Sequence, residues 1–134
     1  MRPWIAARKA TLLIPSGPNH DQNRKHLHIV VTDPGASGDV LIVCVVSIPP
    51  TNIYDPSCTF FPGEHPFIVK DSYVAFRFSR VVQASLLEAE VVAGNYIAKP
   101  DLDEKRFADV VAGLVDSPFT TPKILKFYQA SVSP

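Results

Sequence analysis

Several things are scarce in this chain, and each shortage narrows its class. Two cysteines in 134 residues are too few for the disulfide framework of a small secreted domain. The formal charge is zero, with 13 basic and 13 acidic residues, so the overall field does not mark a nucleic-acid binder. The longest apolar run, Val40 to Val46, falls far short of the roughly 20 residues that cross a bilayer. The first residues lack the apolar stretch of a secretory leader. No repeat or low-complexity segment is visible. These shortages lead to the expectation of one cytoplasmic domain over 1–134, without membrane association.

Proline, by contrast, is abundant. The chain has 13, about twice the usual share of roughly 5%, placed between apolar runs rather than within them. Charge is unevenly spread. Arg2, Arg8, Lys9, Arg24 and Lys25 face only Asp21 in the first 26 residues, whereas Asp101, Asp103, Glu104 and Asp109 gather later. A local basic face on a neutral body is expected.

The first two thirds read as strands: Ala10 to Pro15, Lys25 to Asp33 and Asp39 to Ser47. The short Gly/Pro/Asp/Ser connection from Asp33 to Gly38 makes the last two an antiparallel hairpin. The third strand is apolar on both faces, which marks a central, doubly covered strand. A further strand pair is expected within Ser72 to Val92, with Leu86 to Glu90 open to a helical reading. The period then changes. Phe107, Val110, Val111 and Leu114 lie at i, i+3, i+4 and i+7, one face of a helix. Asp101 with Glu104 forms its capping pattern. Thr121-Pro122 starts a second helix, over about 121–129. The sum is a mainly β fold, a small curled antiparallel sheet closed by carboxy-terminal helices.

Chemistry-bearing residues concentrate between Tyr54 and Arg80, a passage pinned by prolines and a glycine. Loops on a rigid scaffold are where binding and catalytic groups collect. His65 precedes Pro66, which confines it to extended backbone and puts a titratable ring on a stiff loop. Asp55 or Asp71 can orient such a ring, and Arg77 or Arg80 can supply a cation. By strand parity from Ser72, Val74, Phe76 and Phe78 face the core, while Tyr73 and Arg77 face outward as a base-stacking and phosphate pair. Outside this passage, His26 and His28 point the same way from one strand. They can share a phosphate, a proton or, with a third ligand such as His20 or Asp21, a metal. Arg24 and Lys25 can track a phosphate backbone. Cys58 is a possible nucleophile if His65 reaches its sulfur. Each group also has a plain structural alternative: packing, a turn or a solvated charge.

The run Lys25-His26-Leu27-His28-Ile29-Val30-Val31-Thr32, the hairpin to Gly38, and Val40 to Ser47 resemble the PemK/MazF toxin family, small SH3-like antiparallel barrels that cleave RNA. The carboxy-terminal amphipathic helix falls where that family has one, and the resemblance covers roughly residues 8–115. It implies a catalytic role at His26, where the family has arginine, at Ser47, which ends the third strand, and at Asp71 in the later polar loop. Ser72-Tyr73 replaces the family's glutamine and apolar residue. The loop from Pro15 to Lys25 stands in the place of the family's mobile loop.

The function so implied is a metal-independent endoribonuclease, the toxin of a toxin–antitoxin pair, working as a homodimer on single-stranded RNA without cofactor. His26, His65, Asp71, Ser47 and Arg77 are its expected catalytic groups. His28, Arg24, Lys25, Tyr73, Arg80 and Ser72 are its expected substrate contacts. Pro49, Pro50, Phe60 and Phe61 are expected to offer surface for an antitoxin. The alternative is a non-catalytic SH3-like barrel that binds a protein or nucleic acid, favoured by the zero net charge and the missing Arg-Pro pair of the family. A cysteine- or metal-dependent hydrolase is the third reading.

Overall fold

The computed structural model describes residues 3–15 and 25–133, so His20, Asp21 and Arg24 lie outside the described residues. Its elements are β1 (Thr11–Pro15), β2 (Lys25–Val30), β3 (Asp39–Ser47), β4 (Thr59–Phe60), β5 (Ser72–Val74), β6 (Arg80–Gln83), α1 (Ala84–Val92), β7 (Ile97–Lys99), α2 (Glu104–Asp116) and α3 (Pro122–Val132). The strands form one antiparallel sheet in the order β4-β5-β3-β2-β1-β7, with β6 also on β3.

β3 organises everything else. Its register puts Leu27 opposite Val45 and Val30 opposite Ile42 on β2, which is the expected hairpin. Along its other side the first half pairs with β6, Asp39 opposite Gln83, and the last residues pair with β5, Ser47 opposite Ser72. Alternation then sorts its side chains onto two faces. Leu41, Val43 and Val45 join Leu27, Ile29, Phe60, Phe76 and the inner face of α2 in one core. Val40 and Ile42 join Leu12, Ile14, Val30 and Leu87 of α1 in a second. Each such fully buried aliphatic or aromatic side chain contributes about 1.5–3 kcal/mol relative to exposure.

The sheet is open, which corrects the expectation of a closed barrel. Its ends in the strand order are β4, with two residues, and β7, with three, too short to zip together. Other corrections are local. The strand expected to continue from Ser72 leaves the sheet at Ala75 and turns through a 3-10 segment at Phe76–Phe78. Phe76 is therefore buried while Phe78 is exposed. Phe60, expected on the surface, is fully buried, with the Arg106 guanidinium 4.5 Å above its ring. The α2 cap is Asp103 rather than Asp101, accepting from the Arg106 amide at 2.8 Å. α3 starts as read: Thr121 caps it and Pro122 follows.

Gly113 lies on the inner face of α2, where an added Cβ would sit 2.9 Å from the Cys58 Cβ and 3.0 Å from the Phe76 ring. Helix propensity favours alanine there by about 1 kcal/mol. Overpacking against rigid groups costs about 1–3 kcal/mol, and neither a Cβ nor a packed ring can swing aside. Gly113→Ala should therefore destabilise the fold by about 1 kcal/mol net. Urea unfolding measures it, and a gain in stability would show that the helix is free to shift.

Candidate functional site

Two hollows open at the carboxyl end of β3 and share Ser47. The first, about 350 Å³, is lined by Lys25, His26 and Leu27 of β2, by Val45 and Ser47 of β3, by Ser72, and by a wall from Pro66 to Lys70. It draws two lysines and a histidine into its lining and, among the described residues, no carboxylate. The second, about 370 Å³, is lined by Val46, Ser47, Pro49, Ile53, Tyr54, Asp55, Tyr73, Ala75, Phe76, Arg77 and Phe119. Here four aromatic rings and a guanidinium meet. The Asp55 carboxylate in that lining is already engaged: Oδ1 accepts from the Ser57 amide and hydroxyl at 3.0 and 2.6 Å, and Oδ2 from the Ser117 hydroxyl at 2.5 Å.

Local sequence explains this convergence. β2 and β3 are hairpin partners, so the start of one lies beside the end of the other, bringing Lys25 and His26 to Ser47. β5 pairs antiparallel with the end of β3, which delivers Ser72 beside Ser47 and Tyr73 beside Val46. The Tyr54 ring packs at 5.2 Å, tilted 43°, on that of Tyr73. Tyr73 is only 7% exposed, because the strand carrying it is short and its ring is covered. The half-buried Tyr54 is the more accessible aromatic face.

The expected residues thus divide. Lys25, His26, Ser47 and Ser72 come together in the cationic hollow, and Tyr73 and Arg77 in the aromatic one. The Arg77 guanidinium lies 4.7 Å over the Phe78 ring. Asp71 is exposed and lines neither hollow, while its carbonyl accepts from the Ile48 amide at 3.0 Å. Arg80 is exposed on β6, opposite Ile42, and is part of neither lining. His65 is buried, with both ring nitrogens taken. Nδ1 accepts from the Phe67 amide at 3.1 Å, and Nε2 lies 2.9 Å from the Pro100 carbonyl and 3.1 Å from the Thr11 hydroxyl. The ring expected to act as acid or base is built into the scaffold instead.

His28 is buried too, its Nδ1 donating to the His26 carbonyl at 3.0 Å. Burial above all pushes its pKa from 6.5 down to about 4; the carbonyl bond opposes the shift, and nearby Arg80 and His26 add to it. The unfolded chain binds a proton here near pH 6.5 and the folded chain only near 4, so stability falls as pH drops through that window. From pH 7 to pH 5 the loss should be about 2 kcal/mol. Urea midpoints at the two pH values check this, and His28→Leu should remove that share of the dependence.

Neither cysteine is poised for nucleophilic work. Burial pushes the Cys58 thiol up to about 11 and the Cys44 thiol up to about 12, whereas an attacking thiolate needs a lowered value. Among the described residues, no group of three or more His, Cys, Asp or Glu side chains is placed to hold a metal.

Sequence reading missed Lys70, Tyr54 and Phe119, whereas the stiff turn that follows His65, from Pro66 to Ile68, does meet the His26 strand at the first hollow. Lys70 stands beside Asp71 in the passage already singled out, so a cation there was legible. Phe119 follows α2 and reaches the site only through the Asp55–Ser117 tie, which no local pattern announces. A third hollow, about 410 Å³, lies between α2, α3 and the far end of β2, lined by Arg8, Asp33, Phe107 and Tyr128 among others. None of the expected site residues among those described lines it. No helix among the described residues is long and apolar enough to cross a membrane. No family model matches the chain, and no curated protein matches its sequence.

Proposed function

We propose that this chain is a PemK/MazF-like, metal-independent endoribonuclease that holds single-stranded RNA across the two hollows meeting at Ser47. The observation that carries the reading is their juxtaposition: a lining that holds Lys25, His26 and Lys70 beside an aromatic lining with an arginine. Phosphate favours the first, where Lys25 and Lys70 concentrate positive charge. An unstacked base favours the second, where aromatic faces replace neighbouring bases. His26 is the one histidine among the described residues in either lining and takes the proton from the 2′-hydroxyl. The 2′-oxygen then bonds to phosphorus, the bond to the 5′-oxygen breaks, and that oxygen leaves with a proton from solvent. Lys25 and Lys70 offset the charge that develops on the phosphorane oxygens.

An SH3-like relationship belongs to this reading. It is supported by β3, which gives its two halves to different partners on one side. A cytoplasmic setting fits two free, buried thiols. An antitoxin and a second copy of the chain are the proposed partners. Exposed Ile53, at 80%, and Phe119, at 51%, give the rim of the aromatic hollow apolar surface for such a partner.

A second reading is binding of RNA without cleavage. The observation favouring it is His65: that ring is committed to Phe67, Pro100 and Thr11 and does not serve as the acid opposite His26. Purified protein incubated with single-stranded RNA in EDTA separates the two. The first reading expects 2′,3′-cyclic phosphate and 5′-hydroxyl ends. Tight binding with intact RNA would establish the second. Cutting that chelation abolishes would overturn the metal-independent mechanism.

A further inference from the structure

The wall of the cationic hollow, Pro66 to Lys70, is mostly exposed, yet the residue before it is 4% exposed. That residue, His65, joins three separate parts of the chain. Because Nδ1 accepts the Phe67 amide, the proton of the neutral ring is on Nε2. Nε2–H then donates to the Pro100 carbonyl, just beyond β7, at 2.9 Å. The Thr11 hydroxyl of β1, 3.1 Å from Nε2, sends its own proton to the same carbonyl at 2.7 Å. No donor in this group is left over.

The Nδ1 bond also shapes the backbone. A side-chain acceptor taking the amide two residues on is the geometry of an Asx turn, here made by an imidazole. Pro66, between the two, has a fixed φ and no N–H to compete. The Ile68 amide then returns to the His65 carbonyl at 2.9 Å, and the Ile68 side chain is buried in the core. At the other end the wall is held by the Ile48 amide on the Asp71 carbonyl. Between these anchors, Phe67, Val69 and Lys70 are exposed. We propose that His65 is a positioning residue: it touches no ligand, and its turn-forming bond to Phe67 sets where the wall, and with it Lys70, stands over the hollow. Its consequence for RNA rests on the reading of the site given above; the turn itself does not.

The two bonds of the ring can be separated by substitution. His65→Asn places Oδ1 where Nδ1 was, so it keeps the acceptor for Phe67 and loses the reach to Pro100. His65→Gln keeps a donor toward Pro100 and loses the turn. Both lose part of a buried network, so both should melt below the parent. The proposal expects faster amide hydrogen exchange at Phe67 in His65→Gln and near-parental exchange in His65→Asn. It expects the affinity for a short single-stranded oligoribonucleotide to fall about tenfold in His65→Gln, the worth of one lost hydrogen bond. The His65→Asn protein should retain most of the affinity. Equal losses of affinity in the two variants, following their melting temperatures, would reduce His65 to a purely structural role and overturn the proposal. Unchanged Phe67 exchange in His65→Gln would overturn it as well. A parent protein that binds no RNA would sink the reading of the site, and the exchange rates would still decide the turn.

Discussion

Replacing His26 with alanine should lower RNA cleavage by about 10²–10⁴-fold, the usual share of a positioned general base, while changing RNA affinity only a few-fold. The asymmetry follows from the lining of the cationic hollow. Lys25 and Lys70 remain in it to hold phosphate, and Ser47 and Ser72 remain beside them. What disappears is the group that accepts a proton as the 2′-oxygen closes on phosphorus. Single-turnover cleavage with saturating protein isolates that step from binding. Equal loss of binding and cleavage would show His26 to be a phosphate contact alone. Full retention of cleavage would remove it from the chemistry.

Asp55→Ala should be the most damaging single change to the fold at the site, costing about 3 kcal/mol. The carboxylate is buried and accepts three bonds, two from Ser57 and one from Ser117. Bonds to a charged acceptor contribute about 1.5–3 kcal/mol each, and the buried Ser117 hydroxyl is left without this acceptor. Ser117 is also buried, and its hydroxyl accepts from the Phe119 amide at 3.0 Å. Asp55 therefore ties the loop that carries Tyr54 to the link between α2 and α3 that carries Phe119. For a chain of this size the loss corresponds to a melting temperature lower by about 10 °C. RNA affinity should fall with it, because both rings line the aromatic hollow. Asp55→Asn, which keeps one acceptor oxygen and gains a donor for Ser117, should lose less than half as much. A melting temperature unchanged in Asp55→Ala would mean that the Asp55–Ser117 tie does not hold the site together.

Much of the scaffold was legible because its signals are periodic. β3 announced itself by apolar residues at every position from Val40 to Val46, and its hairpin with β2 by the turn residues between them. Thr121-Pro122 marked the start of α3 by local chemistry alone. Placing Lys25, His26 and Ser47 together needed only that hairpin, and adding Ser72 needed one more strand pairing. The failures lie where tertiary contacts overrule pattern. Parity from Ser72 assumed a longer strand, so it buried Phe78, whereas the chain turns at Ala75. β7 has three residues, too few for a period to show. Phe60 sits in a polar passage and yet is buried under Arg106, which also donates to the Thr59 carbonyl and pairs with Asp109 at 2.7 Å. No spacing of residues encodes the His65 ring's bonds to Thr11 and Pro100, which come from sequence separations of 54 and 35.

Amide and side-chain NMR shifts during titration with a short single-stranded oligoribonucleotide test the account most directly. Binding across the two hollows predicts that shifts gather at Lys25, His26, Ser47, Lys70 and Ser72 on one side, and at Tyr54, Arg77 and Phe119 on the other. Shifts at Arg8, Phe107 and Tyr128 in the hollow beneath α3, or none at all, would contradict it.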